Sequence, residues 1–512
     1  MRGPTTGSIW TATAPLRAFA PLVEDARADV CVIGAGIAGV SVAYALACEG
    51  RSVAVLDDGP LGGGNTAVTT AHLTTALDRR WELLERLHGE RGAALAAASH
   101  AAAIDRIEQI VARENIACDF ERLDGYLFLA PGDDPERLDR ELAAAQRAGL
   151  SGVQLVPRAP HPSLDSGPCL RFPNQAQFHP LKYLLALASA TATRGGRMFS
   201  GSRVDRIEIE TPIVIHAGAH RVRADALVVA TNAPINDRVA IHTKQAPYMT
   251  YAIAARVPRG TIARALYWDT ADPFHYVRLH PLDPSPDGGP FDWLVGGGED
   301  HKSGQANDAV ERHGRLEAWA RERFETLGAV EHRWSGQVME SIDGLAFIGR
   351  NPSDGDRVFV VTGDSGNGMT HGTIAGLLIP DLIAGRTNPW QPLYDPSRKP
   401  LRALGRYAHE AANMAAQYSD WLTAGEVASA AEIPHGGGAI LRRGLAKLAA
   451  YRDEHGVLHV RSAVCPHLGC IVAWNAAAES WDCPCHGSRF DKLGTRINGP
   501  ANADLAKASA PR

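Results

Sequence analysis

No stretch of this 512-residue chain approaches eighteen consecutive apolar residues, so no membrane-spanning helix is expected. Between Met1 and Leu22 stand Arg2, Arg17 and scattered prolines but no apolar core of a secretory signal, and the expected location is cytoplasmic. An excess of one charge is missing too. The 52 Lys and Arg against 57 Asp and Glu leave a formal net charge of −5, which gives no footprint for nucleic acid or an anionic membrane surface. Cysteine is scarce, eight in all. Cys31, Cys48, Cys118 and Cys169 stand alone, as small buried hydrophobes do. The other four fall between Cys465 and Cys485, which argues for a metal site and against a disulfide scaffold spread through a small secreted domain. The rest is ordinary: 45% hydrophobic and 21% charged residues describe a globular chain, too long for one core.

The clustered cysteines lie in two boxes, Cys465-Pro466-His467-Leu468-Gly469-Cys470 and Cys483-Pro484-Cys485-His486-Gly487-Ser488. A centre in which one iron takes two thiolates and the other two imidazoles needs Cys-and-His clusters on either side of a spacer. The competing metal reading is a Cys2His2 zinc site. At the other end of the chain, Asp29–Ile33 reads as a buried strand, Gly34-Ala35-Gly36-Ile37-Ala38-Gly39 follows, then an Ala-rich helix and a second strand, Ser52–Leu56, ending on Asp57. This is a dinucleotide fingerprint in its required context. Gly34 allows the turn, Gly36 lets the backbone approach a pyrophosphate, Gly39 lets helix and strand pack, and Asp57 is placed for ribose hydroxyls. The pattern alone does not separate FAD from NAD.

Further along, Val358–Thr362 runs as a strand into Gly363-Asp364-Ser365-Gly366-Asn367-Gly368-Met369-Thr370-His371-Gly372 and a helix from Thr370 to Ala384. Such glycine density lets backbone N–H groups come close to a flat ring, and the helix N-terminus favours negative charge there. Asp78 to Arg113 reads as helical, Asp134-Pro135-Glu136 starts another helix, and Gln245 to about Gly328 reads as β-rich. Within the β-rich segment, His275-Tyr276-Val277-Arg278 puts Tyr276 and Arg278 on one strand face. Above a ring, that pair would suit a carboxylate; the alternative is an ordinary polar strand face.

The two C-terminal boxes resemble those of high-potential Rieske proteins. That resemblance implies Cys465, His467, Cys483 and His486 as ligands of a [2Fe–2S] cluster and a Cys470–Cys485 disulfide between the two loops. Ser488 is then placed to hydrogen-bond a bridging sulfide. The upstream motifs, including Gly64-Asn65-Thr66, Thr70 and His72 after the second strand and Val228–Asn232, resemble the D-amino-acid oxidase and glycine oxidase-like flavoproteins from Asp29 to Pro389. FAD is the implied cofactor, held by Gly34, Gly36, Gly39, Asp57, Gly64, Asn65, Thr66, Thr70, Gly363, Gly366, Gly368, Met369 and Thr370, with His275, Tyr276 and Arg278 as catalytic candidates.

The expected fold is therefore α/β, a Rossmann-like FAD-binding domain with a β-rich substrate domain, followed by a small all-β Rieske domain. The flavoprotein spans residues 1–421, with FAD-binding parts at 28–78, 150–245 and 330–390 and a roof at 79–149 and 246–329; the Rieske domain spans 422–512. The expected activity is oxidation of a small amine or amino-acid-like substrate, the cluster relaying single electrons to an external acceptor. Two alternatives stand beside it: a reductase fed by a ferredoxin-like donor protein, or a redox sensor that does not turn over.

Overall fold

The run Asp29–Ile33 is apolar without alternation and so needs cover on both faces. The computed structural model, which describes residues 7–161, 164–236, 241–282 and 289–508, provides it. Strand Ala26–Ile33 sits inside an eight-stranded sheet between parallel Val53–Leu56 and His220–Val229, with Arg197–Phe199 and Val358–Thr362 parallel beyond them. Val30 and Val32 pack with the helices Ile37–Cys48 and Gly368–Ile383, while Cys31 and Ile33 pack with Ile213 and Ile215. The two helices meet backbone to backbone. A Cβ on Gly376 would lie 2.9 Å from the Ser41 carbonyl oxygen, so only a glycine there permits the approach. The second helix begins at Gly368, two residues before its expected start.

A nine-stranded, mostly antiparallel sheet forms the roof. Its centre is Gln245–Pro258, Phe291–Lys302 and Tyr276–Leu282, the expected β-rich segment. The sheet also takes Cys169–Gln177 and Val330–Ser341, which the sequence reading assigns to FAD-binding parts. The helix Trp81–Arg113 kinks at Gly89, where φ is 74°. Helix Leu404–Gln417 leads out of this body and is pinned to the roof by Lys302–Glu410 at 2.6 Å and Gln305–Asn413 at 2.8 Å.

Two small antiparallel sheets follow. The three-stranded one is Gly437–Arg443, Ala446–Arg452 and Leu458–Ser462; the four-stranded one is Ala473–Asn475, Ser480–Asp482, Arg489–Asp491 and Arg496–Asn498. The C-terminal domain is all-β, as expected. Among the described residues no helix is long and apolar enough to cross a membrane.

Candidate functional site

The glycine fingerprint does what its spacing demands. Gly34 turns the chain at φ 103°, and a Cβ on Gly39 would fall 1.8 Å from the Gly34 carbonyl oxygen. Asp57, at the end of the second strand, accepts from Ala35 N at 2.6 Å and Gly59 N at 2.9 Å; burial pushes its carboxyl up to about 6. Thr66 Oγ1 accepts from Ile37 N at 3.0 Å and so caps the fingerprint helix. Gly34, Gly36, Asp57, Gly64, Asn65, Thr66 and Thr70 all line one cavity of about 450 Å³, together with Gly366, Gly368 and Met369 from the second glycine-dense turn. The cavity size and the glycine-bounded walls fit a dinucleotide with a flat ring.

Three of the expected FAD residues fall outside that wall: Gly39, which packs its helix on the Gly34 turn, Gly363 and Thr370. Thr370 turns its hydroxyl inward to His100 Nδ1 at 2.8 Å, because it lies on the buried side of its helix. Gly363 faces Gln245 Oε1 and Phe347, not the cavity.

The catalytic candidates divide. Tyr276 lines the cavity, its hydroxyl 3.3 Å from Thr250 Oγ1 and its ring edge-on to His72 at 5.3 Å. The Tyr276 ring lies across Gly297, where a Cβ would come within 2.3 Å of it. Burial holds His72 neutral, down at about 3. Arg278 is fully buried and does not line the cavity. Its Nε donates to Thr70 O at 2.6 Å and its Nη2 to Phe178 O at 3.0 Å, with the guanidinium 4.8 Å from the Trp10 ring. It pins the Thr70 loop from behind, so the carboxylate-fork role expected for it is corrected to a structural one. His275 is likewise structural. It bridges Asp269 at 2.9 Å and Glu299 at 3.4 Å and stacks on Trp319, away from the cavity.

Sequence reasoning missed the carboxylates. Asp78, Asp300 and Asp364 all line the cavity; burial, followed for Asp78 and Asp364 by repulsion from Glu340, pushes them up to about 8, about 7 and about 7. Oδ1 of Asp300 and Oδ1 of Asp364 are buried without hydrogen-bond partners. Their only signal in the sequence was position: Asp300 ends a roof strand and Asp364 sits inside the glycine-dense turn. Among the described residues, Arg489 and Arg496 are the only Arg or Lys side chains in the lining, and the buried carboxylate of Asp482 neutralises Arg489 at 3.0 Å.

Asp78 has a consequence for stability. Its carboxyl holds a proton up to about 8 in the folded chain, against an ordinary value of 3.8. The folded state therefore binds the extra proton across that window and loses stability as pH rises through it. Asp78→Asn should raise the melting temperature of the substrate-free protein at pH 8.5 by roughly 2–4 °C while leaving it nearly unchanged at pH 4. Equal shifts at both pH values would contradict this origin.

The two boxes converge within the C-terminal domain. The Cys465 and Cys483 thiols are buried and share a hydrogen bond, which holds Cys465 below and Cys483 above the ordinary thiol range. The His467 and His486 rings stand edge to face at 4.8 Å, and burial keeps His486 neutral, down at about 3. Cys470 and Cys485 form the expected disulfide. Cys483 Sγ lies within 4.8 Å of both disulfide sulfurs but remains a free thiol. Two thiols beside two imidazoles are the donor set a [2Fe–2S] cluster of this type takes. Ser488 Oγ accepts from Ala501 N at 2.9 Å and also bonds Cys465. The linker holds the first box, through Tyr418 hydroxyl to Leu468 O at 2.9 Å and Trp421 Nε1 to Gly469 O at 3.0 Å.

The cluster boxes and the cavity share a wall. Gln337, a roof residue lining the cavity, donates from Nε2 to Gly487 O at 2.9 Å and accepts from Asn498 Nδ2 at 2.6 Å. Gly487 adjoins His486, and a Cβ on it would meet Pro247 at 2.5 Å. His242 packs edge-on to His467 at 5.2 Å and to His486 at 6.1 Å.

Comparison with known proteins agrees with this geometry. The family model described as FAD dependent oxidoreductase matches residues 29–382, and that of the Rieske [2Fe-2S] domain matches residues 423–509. The putative Rieske 2Fe-2S iron-sulfur protein YhfW of Bacillus subtilis (strain 168) is 30% identical over 96% of this chain and 95% of its own length. Gamma-glutamylputrescine oxidoreductase of Escherichia coli (strain K12) is 27% identical over 74% of this chain and 89% of its own. The crystal structure of glycine oxidase from Geobacillus kaustophilus superposes with a TM-score of 0.60 at 19% identity, over 73% of this chain and 99% of that one.

Proposed function

Since this chain belongs to the FAD dependent oxidoreductase family and ends in a Rieske [2Fe-2S] domain, we propose that it oxidises a small amine and passes the electrons singly through the cluster to an external acceptor protein. FAD supplies the two-electron acceptor and the cluster the one-electron carrier; the chain supplies binding, electrostatics and the contact between them. The relay rests on one observation. Gln337 lines the cavity and hydrogen-bonds the residue that follows His486, so a single side chain separates the cofactor wall from the cluster box.

The cavity chemistry favours an amine over an amino acid. Among the described residues a substrate carboxylate finds no unpaired cation near Tyr276, because Arg278 is turned behind the Thr70 loop and His72 is neutral. An ammonium finds Asp78 and Asp300. Buried carboxyls poised at about 8 and about 7 ionise beside a cation and then take the proton the nitrogen must lose before its C–H bond is cleaved. Tyr276 and Trp268, both in the lining, exclude water on the roof side. The E. coli relative being a gamma-glutamylputrescine oxidoreductase is consistent with an amine substrate.

Anaerobic titration against a panel of amines, secondary amines and amino acids tests this reading. Loss of the flavin absorbance with an amine, and not with its carboxylated counterpart, is the expected result. Bleaching only by a reduced ferredoxin-like protein would make the chain a reductase instead, and no bleaching by either would leave a sensor.

A further inference from the structure

The strand Arg496–Asn498 belongs to the Rieske domain, yet Arg496, Asn498 and Gly499 line the FAD cavity. Arg496 and Asn498 each present to that wall a side chain with a polar atom that the protein itself leaves unused. Arg496 Nε, on a side chain only 5% exposed, is buried without an acceptor, and Asn498 Oδ1 is buried without a donor. Buried polar groups are nearly always paired, and each orphan is costly. A donor and an acceptor orphaned two residues apart, both on a cavity wall, call for a ligand that offers both kinds of group.

The position says which part of the ligand that is. Arg496 is ion-paired with Asp58, next to Asp57, the residue at the end of the second strand where a dinucleotide fold receives the adenosine ribose. A ribose phosphate ester offers phosphate oxygens to an N–H donor and hydroxyls to an amide oxygen. We propose that the Rieske domain completes the FAD site, with Arg496 and Asn498 binding the adenosine ribose-phosphate half of the cofactor from the side opposite the glycine fingerprint. The cluster domain is then part of the flavin site as well as an electron carrier, and FAD binding and domain docking strengthen each other. This inference is independent of the substrate and of the direction in which electrons run.

The test uses full-length protein with its cluster intact and its flavin removed. FAD affinity is read by quenching of flavin fluorescence, and cluster content by its visible absorbance. Arg496→Gln should raise the Kd for FAD about tenfold or more, the loss of one charge-assisted hydrogen bond, at unchanged cluster content. Asp58→Asn removes the ion pair but keeps the guanidinium, and should weaken FAD by less than Arg496→Gln does. Equal weakening by the two variants, or a Kd for Arg496→Gln within twofold of wild type, would overturn the proposal. Hydrogen exchange on the unmutated protein gives a second reading that does not depend on how a variant folds. Adding FAD should slow exchange across residues 489–499. Unchanged exchange there, with slowing confined to the fingerprint, would equally overturn it.

Discussion

Cys483→Ser should separate the two halves of the reaction. The substituted protein loses the cluster, because Cys483 is one of the two buried thiols that face His467 and His486 and a serine oxygen is a poor ligand for iron in this setting. The flavin cavity keeps every residue proposed to meet substrate, so an amine should still bleach the flavin under nitrogen. Steady-state turnover with a one-electron acceptor protein should fall about a hundredfold or more, since the carrier that the Gln337-bound box would hold is gone. Retained turnover in a preparation shown by iron analysis to be cluster-free would mean the flavin reaches the acceptor directly.

Asp300→Asn carries the second large effect, on substrate. Asp300, like Asp364, is a cavity carboxylate with an unpartnered buried oxygen, and burial holds its carboxyl at about 7. In the unmutated enzyme, ammonium binding should tighten as pH rises through about 7, where Asp300 ionises, and through about 8, where Asp78 does. Asparagine keeps the shape and removes the charge. KM for an amine should rise about tenfold, the cost of losing one charged hydrogen bond, and the step near pH 7 should disappear from the pH profile of kcat/KM. A carboxylate ligand, which gains nothing from Asp300, should bind the variant at least as well. An unchanged KM and pH profile would place the substrate nitrogen elsewhere in the cavity.

Much of this was legible in the sequence wherever chemistry fixes residue types at fixed spacing. The two Cys-and-His boxes are of that kind, and so are Gly34 and Gly39, where a side chain collides with backbone. Alternation along His275–Arg278 also placed Tyr276 and Arg278 on one face correctly. What it did not give was depth. Two residues along a twisted strand carry the side chain from the cavity to the space behind the Thr70 loop, where Trp10 from the N-terminal helix covers it. Thr370 was misread for a related reason: the motif marks where a helix starts, while the turn of that helix decides which side chains look outward, and Thr370 looks at His100.

Asp300, Gln337 and Arg496 belong to a harder class. Each is a single polar residue in an unremarkable stretch, and its role comes from what is brought against it. Asp300 needs the roof sheet laid over the cavity. Gln337 and Arg496 need two domains, more than a hundred residues apart in sequence, to dock through Gln337–Gly487, Gln337–Asn498 and Arg496–Asp58. No local pattern encodes such a contact.

In the proposed relay, electrons move between the flavin and the cluster through that shared wall. Rapid mixing of the anaerobic protein with a substrate amine, followed by freezing and electron paramagnetic resonance, reads it directly. The signal of a reduced Rieske cluster should grow as flavin absorbance is lost, and should be absent from flavin-stripped protein given the same amine. A flavin that bleaches fully while the cluster stays oxidised and silent would contradict the relay.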